Sequence, residues 1–101
     1  MGRTIVSEDG CFEWDEDKAI TSEKKHGIAF ERALSVFCDP KRIEFHDERH
    51  SEYEDRYLTI GNASRSTLFL VIVSSTERNK RIRLISVRRA SKYEEGLYYG
   101  G

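Results

Sequence analysis

Cysteine is scarce in this chain of 101 residues: Cys11 and Cys38 stand far apart, with neither a Cys-x-x-Cys pair nor a ligand cluster beside them. That pattern points to two reduced thiols and away from a disulfide framework. Long apolar runs are missing too. No stretch approaches the roughly 20 apolar residues of a membrane span, and residues 1–10 lack the apolar segment of a signal peptide, so a cytoplasmic protein with no membrane association is expected. Gly2 does not begin an N-myristoylation signal, because Val6 stands where Ser or Thr is required. There is no glycine-rich phosphate loop, no nucleophile elbow, no internal repeat and no low-complexity tract. His26, His46 and His50 have no cysteine at ligand spacing, and the His46/His50 pair would suit zinc only on a helix, whereas its segment reads as loop. Neither a metal nor a cofactor is expected.

What is present is charge, sorted along the chain. The net charge of -1 hides two acidic segments and one basic one. Residues 8–17 hold Glu8, Asp9, Glu13, Asp15, Glu16 and Asp17, and residues 44–55 hold Glu44, Asp47, Glu48, Glu52, Glu54 and Asp55. Residues 78–92 carry Arg78, Lys80, Arg81, Arg83, Arg88, Arg89 and Lys92 with no carboxylate between them. The C-terminal third therefore reads as the anion-facing part. A solvated edge strand blunted by cations is the plainer alternative.

Apolar periodicity assigns the elements. Cys11–Trp14 makes a short strand, and Asp15 caps a helix with Glu16 and Asp17 in its first turn, Lys24, Lys25 and His26 in its last, and Gly27 as its stop. Phe30, Ala33, Leu34 and Phe37 form the stripe of a core helix that ends at Asp39-Pro40. Residues 42–45 read as a short strand and 46–53 as a loop. Strands over 56–61, 68–73 and 80–88 follow, the middle one a continuous apolar run and so central, joined by loops short enough for antiparallel pairing. Ser91 to Glu94 is a capping box opening a last helix with Tyr93 and Leu97 on one face, weakened by Gly96. The expected order is β-α-α-β-β-β-β-α, an α+β fold.

Five motifs then stand in register: Phe12-Glu-Trp-Asp15, Lys25-His-Gly27 with Phe30-Glu31, Arg56 to Gly61, Thr76-Glu-Arg78, and Arg81 to Ala90. In this order, over residues 11 to about 99, the chain resembles the BrnT family of toxins. The resemblance implies a RelE-like fold, with an antiparallel sheet of four to five strands, two N-terminal helices on one side and a short C-terminal helix. It implies a single toxin domain over residues 11–99, with residues 1–10 unassigned. It further implies an endoribonuclease that arrests growth and a BrnA-like antitoxin with a ribbon-helix-helix domain, paired in a heterotetramer that touches operator DNA only through the antitoxin. Ala29, Asn79 and Val87 depart from the family's usual residues, and the Tyr98-Tyr99-Gly100-Gly101 tail matches no motif.

RNA can be cut without a metal when the 2′-hydroxyl attacks the adjacent phosphate, provided the developing charge is stabilised and protons are accepted and donated. Arginine suits the first task, because its guanidinium stays charged and meets phosphate oxygens two at a time. Arg83 sits mid-strand among apolar neighbours, so it is either paired with a carboxylate or aimed into a cleft. Lys25, His26, Arg56, Arg83 and Arg88 are the candidate catalytic residues, and Arg78, Arg89 and Tyr93 the candidate RNA contacts. Helix-end charge for Lys25, a half-buried structural role for His26 and an anchoring role for Tyr93 are the competing readings. A non-catalytic nucleic-acid or antitoxin-binding module of the same fold is the competing function, and a small structural protein a more distant one.

Overall fold

The computed structural model describes residues 2–63 and 69–100. The elements are β1 (Thr4–Val6), β2 (Phe12–Asp15), α1 (Glu16–His26), α2 (Phe30–Ala33), β3 (Ile43–His46), β4 (Arg56–Asn62), β5 (Leu70–Arg78), β6 (Arg81–Arg89) and α3 (Lys92–Gly100), with 3₁₀ turns at Leu34–Cys38 and Glu48–His50. Helix α1 begins and ends as its sequence dictates. The Asp15 carboxylate accepts from the Lys18 amide at 2.9 Å, and Gly27, at φ 75°, donates its own amide to the Glu23 carbonyl. None of its residues is fully buried.

The expected core helix is only partly helical. One α turn gives way to a 3₁₀ segment, and the buried residues are Phe30, Ala33 and Val36, spaced by three as the tighter winding requires. Phe37 is only half-buried and meets the Phe12 ring at 5.1 Å. Ala29 supplies no side-chain cap, and Pro40 follows too soon for a longer helix to form.

The sheet has six strands in the order β1-β2-β6-β5-β4-β3, where four to five antiparallel strands were expected. Most neighbours are antiparallel, but β2 runs parallel to β6. Their partnership spans most of the chain, so no turn chemistry announces its direction. Strand β1 comes from the segment left unassigned. Asp9-Gly10 is its hairpin signal, with Gly10 at φ 75° and the Asp9 carboxylate accepting from the Cys11 amide and the Ser7 hydroxyl. The β5–β6 hairpin turns on Asn79 and Lys80, both at positive φ. Leu68, placed at the head of the central run, lies outside the described residues.

Both faces of the sheet are used. Trp14, Val71, Val73, Leu84 and Val87 point to the face covered by α1 and α2. Ile60, Leu70 and Ile72 point to the other, where Leu97 and Tyr98 of α3 cover one half. The capping box is present, with the Ser91 amide donating to Glu94 at 2.8 Å and the Glu94 amide to Ser91 Oγ at 3.2 Å. Arg88 clamps Glu94 with two bonds of 2.8 Å, and the Tyr98 hydroxyl donates to Asp39 at 2.7 Å. The bond to Asp39 pushes the Tyr98 phenol up to about 12. Burial works to raise the Asp39 carboxyl, but Tyr98 and the amides of Asn62 and Lys41 outweigh it and lower it.

Two predictions follow from these contacts. The Arg88 guanidinium holds the Glu94 carboxyl down from 4.5 to about 2. A depressed folded pKa means stability fully present above the unfolded value and lost as pH falls through the folded one. Glu94→Gln should therefore destabilise the chain by about 1–2 kcal/mol near pH 7, and the gap should narrow on going to about pH 3. Urea midpoints across that range measure it; a gap that does not change with pH would remove the ion pair from the account. Gly61 lies against the 3₁₀ segment, and a Cβ there would stand 3.1 Å from Val36 Cγ1 and 3.2 Å from Asp39 Oδ2. Gly61→Ala should cost about 1–3 kcal/mol by overpacking, read as a lower thermal midpoint.

Candidate active site

The half of the second face that α3 leaves open carries a row of polar residues across four neighbouring strands. The register sets Glu13 of β2 beside Arg83 of β6, Arg83 beside Thr76 of β5, and Thr76 beside Arg56 of β4. Arg78 and Arg81 face each other where the β5–β6 hairpin closes. Arg56, Arg78, Arg83 and Lys18 bring four cations to a cleft of about 180 Å³, which Asp15, Glu54 and Thr76 also line.

Each cation is held differently. Glu13 is only 2% exposed, and a carboxylate that deep is tolerable only when paired. Its partner is Arg83, through a short charged hydrogen bond, with Arg81 at 3.8 Å as a second cation. One Arg83 nitrogen serves Glu13 while the side chain also lines the cleft. Glu54 receives Arg78 at 3.0 Å and Arg56 at 3.5 Å, and the Arg78 bond holds its carboxyl below the usual range. The Thr76 hydroxyl donates to the Asp55 carbonyl at 2.7 Å and so ties the segment before β4 to β5. Arg56 Nε is buried and has no hydrogen-bond partner. An orphaned buried donor costs about 1–3 kcal/mol, a cost this arginine carries at the edge of the cleft.

A bulge in β6 extends the cleft sideways. Ser74 pairs with Ser86 but Ser75 pairs with Leu84, leaving Ile85 as the extra residue. Ile85 and Lys18 are shared with an adjoining hollow of about 330 Å³ between α1 and β6, and this hollow holds Lys25 and His26.

The candidates read from sequence therefore divide. Arg56, Arg78 and Arg83 converge in the cleft. Lys25 and His26 are exposed in the hollow next door, so Lys25 and Arg83 do not line one cavity. Arg88 is engaged by Glu94, Arg89 stacks over the Phe69 ring at 4.7 Å, and Tyr93 is 76% exposed. None of these three lines the cleft. Sequence reasoning missed Lys18, Glu54, Asp15, Thr76 and Glu13. Glu13 left a signal, because a carboxylate alternating with Phe12 and Trp14 must face away from their core. Among the described residues no group of three or more His, Cys, Asp or Glu is placed to hold a metal ion.

The chain matches the family described as ribonuclease toxin, BrnT, of type II toxin-antitoxin system over residues 14–94. It is also similar to the crystal structure of the Brucella abortus ribonuclease toxin BrnT, with a TM-score of 0.61 and 27% identity, over 78% of this chain and 94% of that one. No curated protein matches it significantly. The chain therefore belongs to the BrnT family of ribonuclease toxins of type II toxin-antitoxin systems.

Proposed function

We propose that the four-cation cleft binds and cuts RNA, and that the chain is an endoribonuclease needing no metal. The 2′-oxygen of the substrate forms a bond to the adjacent phosphorus, its proton passes to an acceptor, and the bond to the 5′-oxygen breaks as that oxygen takes a proton. Arg56, Arg83 and Arg78 stabilise the charge that builds on the non-bridging oxygens. The observation that carries this reading is the convergence of Arg56, Arg78, Arg83 and Lys18 on one cleft. Lys18 is the lysine of the cleft, while Lys25 and His26 line the adjoining hollow and would meet a flanking nucleotide. Arg89 and Tyr93 would meet RNA only beyond the cleft.

A RelE-like kinship remains part of the proposal. Two helices that precede most of the sheet and pack on one face support it, and the parallel β2–β6 pair sets this chain apart from the expected antiparallel form. We further infer a cytoplasmic toxin neutralised by a BrnA-like ribbon-helix-helix antitoxin in a heterotetramer, with operator DNA bound through the antitoxin alone. An acidic stretch of that partner fits the cationic cleft.

Arg83→Ala is an ambiguous test, since it strips the buried Glu13 of its main partner and should cost several kcal/mol of stability. Arg56→Ala is cleaner. Its loss should slow cleavage about 100- to 1,000-fold in EDTA with the fold intact. Arg83→Met combined with Glu13→Gln should do the same without a stranded charge. Arg81→Ala, which removes the more distant neighbour of Glu13 and a bond to the Gly10 carbonyl outside the cleft, should change cleavage little. Lys25→Ala should fall between. If Arg56→Ala cleaves like Arg81→Ala, the cleft is not the site; tight RNA binding without any cleavage by the unaltered chain favours the non-catalytic module.

Expressed without its antitoxin, the chain should arrest growth and degrade cellular RNA. Cells that grow normally with intact RNA would show that the toxin reading fails for this chain.

A further inference from the structure

A groove of about 710 Å³, larger than the cleft, lies between β1, α1 and the α2 region. Its apolar surface is Ile5, Val6, Trp14, Ala19, Ile20 and Leu34, of which Val6 and Ile20 stand 44% and 50% exposed. Glu8, Asp9, Glu16, Glu23 and Glu31 rim it, and no cation lines it. Arg3 reaches Glu16 at 3.3 Å, but among the described residues Glu8, Glu23 and Glu31 have no cationic partner. An apolar groove of this size lies within the roughly 300–1,000 Å³ of concave binding sites. Three rim carboxylates left without cations give it a defined electrostatic complement.

We propose that this groove seats a basic, amphipathic segment of the protein antitoxin, with apolar side chains on Ile20, Val6 and Trp14 and Lys or Arg residues against the acidic rim. The proposal rests on the reading that a protein antitoxin neutralises this chain, and it adds a second contact apart from the cationic cleft. Charge chooses the occupant. Nucleic acid is repelled by five carboxylates. A second copy related by a twofold axis would set the acidic rim against itself, and a copy presenting its basic end instead would make a contact that does not close. A basic segment faces neither objection, and charge complementarity both steers it and rejects wrong partners.

The test uses the full-length chain and the antitoxin co-expressed with it. Ile20→Asp removes an exposed apolar anchor, and Glu23→Lys with Glu31→Lys reverses two rim charges; all three positions are exposed, and a thermal melt checks that both variants fold. Each should weaken antitoxin binding by about tenfold or more by calorimetry, while RNA cleavage by the free chain stays within about twofold. Amides over residues 4–8 and 19–23 should gain protection from hydrogen exchange when the antitoxin binds. Unchanged affinity in both variants overturns the groove alone, leaving the toxin reading in place. A free chain that dimerises, and that Ile20→Asp returns to a monomer, assigns the groove to a second copy and also overturns the proposal. An antitoxin that does not bind the unaltered chain overturns the underlying reading together with the groove.

Discussion

A carboxylate as enclosed as Glu13 must keep a cation beside it, and much of the molecule answers to that demand. Arg83 is the cation, and the two residues sit side by side across the parallel β2–β6 pair. Hydrophobic contacts of Phe12 and Trp14 bring β2 to the sheet, and the enclosed ion pair adds its own penalty to a one-residue slip. A slip would turn Glu13 into the core beneath α2 and expose Trp14. The ion pair thus enforces register where no turn does. It also fixes the guanidinium: one nitrogen is committed to Glu13, and the remaining donors of the planar group are available at the cleft.

Holding arginines in place before any ligand arrives is what electrostatic stabilisation requires, since a side chain that must be ordered during the reaction gives back part of what it stabilises. Three devices do the holding here. Glu13 anchors Arg83, Glu54 anchors Arg78 and Arg56, and Thr76 ties the Glu54–Asp55 segment to β5. The anchoring carboxylates offset only part of the cationic charge. Arg88, by contrast, is spent on architecture: its two bonds to Glu94 hold α3 over Ile60 and Ile72, closing half of the face and leaving the other half as the cleft.

Local chemistry made some elements legible in the sequence. The cap at Asp15, the stop at Gly27 and the capping box at Ser91–Glu94 are each decided within a few residues, and each forms as read. The convergence of Arg56, Arg78 and Arg83 was half legible, because their strands were recognised and arginine mid-strand demands a reason. What stayed hidden depends on partners distant in sequence. Nothing near Phe12 reveals that it runs parallel to Ile82, and nothing near Lys18 reveals that it lines the cleft beside the bulged Ile85. The apolar stripe at Phe30, Ala33, Leu34 and Phe37 fits a 3.6-residue helix as well as Phe30, Ala33 and Val36 fit a 3₁₀ winding. Periodicity alone does not choose between them, and the segment that forms is the 3₁₀ one, with Val36 against Gly61.

The segregation of charge seen along the chain becomes a segregation in space, and β2 is the partition. Alternation sends Glu13 to the cleft side and Trp14 to the groove side; Asp15 then lines the cleft and Glu16 the groove. A near-zero net charge therefore conceals two surfaces of opposite sign divided by one short strand. The cationic cleft in turn needs carboxylates in its walls. Without Glu13 the arginines of the cleft would lose their buried counter-charge, and without Trp14 the strand carrying Glu13 would lose its hold on the core. Because adjacent residues of one extended segment serve both, β2 cannot move toward an occupant on either side without carrying the ion pair with it.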